Sequence, residues 1–384
     1  MRFALATVVL ASAVSEGSSF ASRSQVTTKT FGRHSLQHTA GPSIGHKGIY
    51  STMEEQELLV EAGSPMVGVE IVSVQEDEDE ELVEVSAQAI NARLERQLEK
   101  MRLKDQTSKQ LSKEDLVIVH EDQNILIVDK PSGVLTVPGK DKGVPSLAKT
   151  VYDNIPTLDL PTPDHMVVHR LGMDTSGLII MAKNKAAVRE LNGLFRERKV
   201  DRRYEALVAG HVEKDQGMIS LPIMRDYERP PFVRISTEQH QWKLVDLTPE
   251  EVGRKILEGP KQSLTKYEVV SREFLSGQPV TRVTLTSISG RYHQLNVHLA
   301  AFGHPIVGDN VYGTNGEALP NGGLRDEELE TLIPNPNRAT AEEQRLLNEI
   351  VHANDMPPCV HAKYIKFTHP KTKKVHEFST KSPF

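Results

Sequence analysis

From Asn124 the chain reads Ile-Leu-Ile-Val-Asp-Lys-Pro-Ser-Gly-Val-Leu, a short apolar run closed by Lys-Pro-Ser-Gly. A β-rich run that ends in such a cluster predicts a buried strand feeding a turn, with Ile118–Asp122 leading into it. Val167–Val168 and Leu178–Ala182 predict further buried strands on either side of a polar loop. Lys185–Arg198 has helical period, with Ala187, Leu191, Leu194 and Phe195 on its apolar side. Tyr204–Ala209 predicts another strand, and residues 264–288 alternate as two more, Leu264–Ser271 and Val280–Ser287. A helix is expected over Val297–Phe302, and closing strands at Cys359–Ala362 and Phe367–Pro370. Upstream, Ile90, Leu94, Leu98 and Met101 recur at spacings of four, four and three between Val85 and Leu103, one face of an amphipathic helix.

The first 115 residues carry a different pattern. Met1-Arg2-Phe3, the largely apolar run Ala4–Val14 and the small residues around Phe20 describe a signal peptide over 1–20. Residues 21–53 contain no Asp or Glu and are frequent in Ser, Thr, His, Lys and Arg, which describes a transit peptide. Together they resemble the bipartite presequence of algae with secondary plastids, so the expected destination is a plastid. Mitochondrial import and secretion are the alternatives. Residues 54–115 form an acidic linker, with the run Glu76–Glu81, followed by the amphipathic helix. The folded domain is placed at 116–380, with insertions at 240–262, which holds Trp242, and at 314–356. A long insertion predicts a surface loop, although Glu342–Ile350 has helical character. No stretch of 18 apolar residues occurs, so nothing is expected to span a membrane in the mature form.

Composition narrows the chemistry. The single cysteine, Cys359, excludes an internal disulfide framework and a cysteine-based zinc site. Without partner cysteines the histidines read as hydrogen-bonding groups rather than metal ligands. A net charge of −6 over 384 residues is unusual for a nucleic-acid binder, but it is unevenly spread. Residues 54–105 carry 15 acidic against 5 basic groups, and 314–356 carry 9 against 3. Outside these segments the domain has a modest basic surplus, compatible with phosphate contacts.

The loop between the central strands reads Val168-His169-Arg170-Leu171-Gly172-Met173-Asp174-Thr175-Ser176-Gly177. It resembles the H-R-L-D-x-x-T-S-G signature of the RluA family of RNA pseudouridine synthases, with Gly172 where the family carries its catalytic aspartate. Four further blocks resemble that family in order: the strand ending Lys130-Pro131-Ser132-Gly133, Leu221–Asp226 with Arg229-Pro230, the segment Gly290–Leu299, and Gly303–Asp309 with Tyr312-Gly313. Ordered blocks over roughly two-thirds of a chain are far more specific than one motif. The resemblance implies an α+β fold, a mixed and mainly antiparallel sheet with flanking helices and loops. It implies isomerisation of uridine to pseudouridine in ribosomal or transfer RNA, with RNA as partner and no cofactor or metal. No protein partner is indicated.

In this reaction the target base leaves its stack and enters a pocket, at a cost of a few kcal/mol. A carboxylate then acts as nucleophile or base, and must be ionised to do so. The resemblance implies that Tyr204 stacks on the flipped base and that Arg170 lies near the carboxylate. It also implies that His169, Arg291, His293, Gln294, Leu295 and Asn296 line the pocket or order its loops. Capping of the Val297–Phe302 helix is the alternative role for Arg291, His293 and Gln294. Asn296 stands where the family has the basic partner of its aspartate. Loss of both members of a charge pair has a physical logic, since a buried cation left alone is costly. Asp174, two residues on, is the nearby replacement carboxylate: residues i and i+2 of an extended segment face the same way, and glycine at 172 frees the loop to bring it inward. The alternatives are a catalytically inactive RNA-binding or ribosome-assembly factor, a different carboxylate, or a protein-interaction module using the acidic segments.

Overall fold

A computed structural model describes residues 85–139, 141, 143–156 and 159–384; the segments expected at 1–20 and 21–53 and the acidic run Glu76–Glu81 lie outside the described residues. The first element is helix α1 (Ala87–Asp105), whose N-cap Ser86 accepts a hydrogen bond from the Ala89 amide at 3.2 Å. Ile90 on the expected apolar face is buried, and Leu94, Leu98 and Met101 are half-buried. No helix among the described residues is long and apolar enough to cross a membrane.

The centre is a nine-stranded sheet. Strands β1 (Val117–Glu121), β2 (Ile125–Lys130) and β3 (Ser176–Ala182) form one antiparallel group, with helix α2 (Leu147–Asn154) between β2 and β3 in the chain. Helix α3 (Lys185–Arg196) leads to β4 (Asp201–Ala209) and β5 (Gln216–Ser220), and then to a separate hairpin of β6 (Ile223–Arg225) and β7 (Val233–Ile235). Two short helices, α4 (Glu238–Trp242) and α5 (Pro249–Val252), precede the long hairpin β8 (Leu264–Leu275) and β9 (Gln278–Ser287). Then come α6 (Gln294–Phe302), α7 (Asp326–Leu332), α8 (Ala341–Ala353), β10 (Val360–Thr368) and β11 (Val375–Ser379). Strand order is β1-β2-β3-β10-β4-β9-β8-β5, and β11 pairs with the C-terminal part of β10. Every pairing is antiparallel except β3–β10, which is parallel and only two residues long, Ser176 opposite His361 and Gly177 opposite Ala362. This is the mixed, mainly antiparallel α+β architecture expected.

Alternation explains why both faces are covered. In β2, Leu126 and Val128 join Leu147, Ala148 and Val151 of α2, whereas Ile125 and Ile127 join Ala187 and Leu191 of α3. In β4, Ala206 and Val208 pack with Val297 and Ala300 of α6, while Leu207 and Ala209 pack with Leu347 of α8. A strand buried on both sides reads as an unbroken apolar run, which is what the sequence shows.

Several expectations need correction. Val167–Val168 forms no strand; Val167 makes a single bridge to Met181 after a 3-10 turn. Helix α3 stops at Arg196, ahead of the left-handed Arg198 at φ 57°. Helix α6 starts at Gln294 rather than Val297, and the expected closing strands fall largely within one, β10. The 314–356 insertion is not merely a surface loop, because it buries Leu324, Leu329, Ala339 and Leu347. The 240–262 insertion likewise buries Leu244, Val252 and Ile256 around Ile90 of α1, leaving Trp242 72% exposed.

Candidate active site

The signature loop is clamped by the turn that follows β2. The Thr136 hydroxyl donates to the Leu171 carbonyl at 2.8 Å and accepts from the Leu171 amide at 3.2 Å. The Met173 carbonyl accepts from the amides of Gly133 and Val134, and the Ser132 hydroxyl donates to the Asp174 carbonyl at 2.7 Å. Beneath them lies Lys130, fully buried, its ammonium donating to the carbonyls of Pro131, Val134 and Met173 at 2.6–2.9 Å. Burial pushes the Lys130 pKa down to about 7, against the opposing charge of Asp174. The Lys-Pro-Ser-Gly turn is thus the support of the loop, a role not foreseen for Lys130 although the motif itself was visible.

His169 is turned inward and takes the loop-ordering one of its two expected roles. Its Nε2 accepts from the Ile180 amide at 2.9 Å, and its ring stacks on Phe195 with centroids 4.7 Å apart. Burial, reinforced by the Arg202 charge, drives its pKa down to about 3, so it is a neutral acceptor that ties the loop to β3. Gly172 is exposed and Asp174 half-buried. The partner of Asp174 is also not the one expected. Arg170 is exposed, whereas the Asp174 carboxylate accepts from Lys104 Nζ of α1 at 2.8 Å. A sequence signal for Lys104 existed: it follows Met101 by three residues and so continues the packed face of the helix.

Tyr204 is half-buried on β4 against the apolar cluster of Ala206, Val208 and Leu285. Its position relative to the loop follows from register. His361 of β10 pairs with Ser176 on one side and with Glu205 on the other, so Asp174 and Tyr204 both lie next to one row crossing three strands. Ser176 Oγ and His361 Nδ1, 2.8 Å apart, fasten that row.

The residues before and in α6 divide into two groups. Gln294 is 2% exposed and orders the loop: its Oε1 accepts from Ser289 Oγ and the Arg291 amide, and its Nε2 donates to the Leu264 carbonyl and Thr265 Oγ1. Leu295 is half-buried against the core. Gln294 thus takes the loop-ordering one of its two expected roles, and Leu295 packs into the core. Arg291 is exposed, and its side chain is open to a ligand. His293 is left-handed at φ 48°, caps no amide with its side chain, and stacks on Tyr292 at 3.8 Å. Burial and then the charges of Arg225 and Lys104 lower its pKa to about 4. Asn296 Nδ2 donates to Asp309 Oδ2 at 2.9 Å. Burial pushes the Asp309 carboxyl up, offset by Asn296, by the amides of Val311 and Tyr312, and by the Lys104 charge. Lys104 therefore lies within electrostatic reach of the loop and of the start of α6.

The profile of the RNA pseudouridylate synthase family matches residues 124–301, from β2 to α6. A relative from Pasteurella multocida (strain Pm70), Dual-specificity RNA pseudouridine synthase RluA, is 35% identical over 269 residues, 70% of this chain and 94% of its own. This chain belongs to the RNA pseudouridylate synthase family. The Yersinia pestis family member of the same description is 38% identical over 197 residues, 51% of this chain and 82% of its own. A solved human family structure, RNA Pseudouridylate Synthase Domain Containing 1, is 27% identical with a TM-score of 0.49, over 72% of this chain and 87% of that one.

The family match spans the Lys130 turn, the signature loop, Tyr204 and Asn296. A concave region lined by Tyr227, Glu228, Arg234, His240, Leu324 and Arg325 shares none of these residues. Beside it Asp226, Glu228 and His240 bring ligand-type atoms within 4.8 Å of one another. The Arg234 guanidinium pairs with Glu228 there at 3.2 Å and supplies the positive charge.

Proposed function

We propose that this chain converts uridine to pseudouridine in structured RNA, ribosomal or transfer, with Asp174 as the reacting carboxylate. The observation that carries this reading is the state of Asp174: half-buried, paired with one cation, on a loop whose backbone is clamped on both sides of it. A clamped loop supplies the positional accuracy that catalysis needs, where a misplacement of about 1 Å is costly. The carboxylate acts on the sugar or the base of the extruded nucleotide. The N1–C1′ bond breaks, the C5–C1′ bond forms, the C5 hydrogen leaves as a proton, and N1 of the ring regains one. Stacking of the base on Tyr204 offsets about 1–3 kcal/mol of the extrusion cost. Exposed Arg170 and Arg291 are placed to meet phosphates.

Loss of the C5 hydrogen gives the assay. The full chain, incubated with unmodified transfer and ribosomal RNA transcripts carrying tritium at uridine C5, is expected to release tritium to water. Asp174→Ala is expected to abolish release while RNA binding stays within about threefold, because the carboxylate acts chiefly in the transition state. A wild-type chain that releases none refutes the proposed activity. Release that survives Asp174→Ala moves the chemistry to another carboxylate.

We propose in addition that residues 1–53 address the chain to a plastid. Their composition supports this, and a fluorescent fusion in an alga with a secondary plastid tests it. Secretion or a cytosolic signal would refute it.

A further inference from the structure

We propose that Lys104 is the positioning residue for the Asp174 carboxylate, supplying from α1 the positive charge that Asn296 does not provide. The inference rests on the assignment of Asp174 under the proposed function. Its ammonium lies 2.8 Å from Asp174 Oδ2, with the two side chains 37% and 29% exposed. Its charge also reaches Asp309, which accepts from Asn296, and His293, three residues before Asn296 in the chain. A cation is thus present at the loop and within electrostatic reach of the start of α6, but it comes from the segment before the sheet. At position 296 itself stands a neutral amide, already donating to Asp309.

An exposed ion pair ordinarily contributes little, because holding two flexible side chains together offsets the attraction. Lys104 differs because α1 is held at both ends by other contacts. Towards its N-terminus Ile90 is fully buried, Asn91 Nδ2 donates to the Glu251 carbonyl at 2.8 Å, and Gln97 Nε2 donates to Glu317. Beyond its C-terminus the Lys109 amide donates to the Gly133 carbonyl at 3.0 Å, and Ser108 Oγ links the Pro145 carbonyl to the Leu135 amide. The helix therefore presents its last turn to the loop whether or not the ion pair forms. That preorganisation separates a positioning residue from a fastener.

The tritium-release assay on the full chain tests this. Lys104→Ala is expected to lower kcat at least about tenfold with KM within about threefold, the signature of an interaction made mainly in the transition state. Its thermal midpoint should stay close to wild type. Lys104→Arg should keep most of kcat, and Asn296→Arg placed in the Lys104→Ala background should restore it from the other side. Unchanged kcat in Lys104→Ala overturns the inference. So does a loss that follows a lowered midpoint and is not restored by Asn296→Arg, since that is the behaviour of a fastener. Wild-type release that is lost in Asp174→Ala but kept in Lys104→Ala refutes this inference alone. No release by wild type, or release that survives Asp174→Ala, refutes the underlying assignment and this inference with it.

Discussion

Gly172 in the signature loop and Gly177 near the start of β3 differ in what a side chain would meet. At Gly177 the backbone is at φ +115°, and a Cβ would lie 2.5 Å from the nitrogen and oxygen of Ala362 on β10. Gly177→Ala is expected to destabilise the chain by about 3 kcal/mol or more, read by urea unfolding. At Gly172 the backbone avoids the left-handed region, and a Cβ would meet only Thr175 Oγ1, at 3.4 Å. Gly172→Asp should therefore fold with stability within about 1 kcal/mol of wild type in the same measurement. A loss near that for Gly177→Ala would contradict the open geometry at 172. The loop was legible in the sequence because its residue types are fixed by close contacts. The partner of its carboxylate was not: it comes from an element far upstream, and spacing within the loop carries no information about it. The same holds for His169 and Gln294, whose inward orientation depends on Ile180, Phe195 and Leu264 rather than on their neighbours in the chain.

Among the elements, those with an unbroken apolar run or a full helical stripe were legible: β2, β3, α3, β4 and α1. The misreadings have local causes. Two valines at 167–168 are too few to build a ladder. The insertion 314–356 is polar enough to read as solvated, yet its scattered Leu324, Leu329 and Leu347 each reach a neighbouring surface. Helix α1 has the most to test, since Ile90 is its one fully buried side chain. Ile90→Ala should cost about 2–4 kcal/mol in the docking of the helix. Amide hydrogen exchange across 87–105 should rise while β2 and β3 stay protected. Unchanged protection of α1 would mean that its polar contacts alone hold it.

For the molecule as a whole, histidines held neutral by burial contribute to its sensitivity to acid. Burial lowers His169 and His240 to about 3 and His293 and His298 to about 4, each below the ordinary value near 6.5. Below pH 6.5 the unfolded chain takes up protons at these rings and the folded chain does not. Their contribution is complete above that value and is lost progressively as pH falls towards 3–4. Denaturant midpoints measured from pH 7 to pH 4 should fall steadily, and His169→Gln should flatten part of the slope. A midpoint independent of pH over that range would contradict neutral, buried rings. Charge distribution makes a separate prediction: RNA binding should weaken as salt rises and should survive deletion of residues 54–84, because the basic surplus resides in the domain.

The two-residue contact between β3 and β10 has a mechanical consequence. The backbone pairing of the nine-stranded sheet narrows at its middle to Ser176–His361 and Gly177–Ala362, backed by the Ser176–His361 side-chain bond and by Ile365 and Phe367 packing with Ile125 and Leu178, and the signature loop enters at that narrow point. Asp174 precedes the β3 side of this join by two residues, and Tyr204 lies beyond it on β4. Helix α1 and the turn after it reach two regions, the β6 hairpin and the two insertions through Ile90 and Gln97, and the signature loop and the turn after β2 through Lys104 and Lys109. The helix thus braces the signature loop against the part of the domain that follows β5, so the loop and its carboxylate are held from outside the sheet as well as from within it.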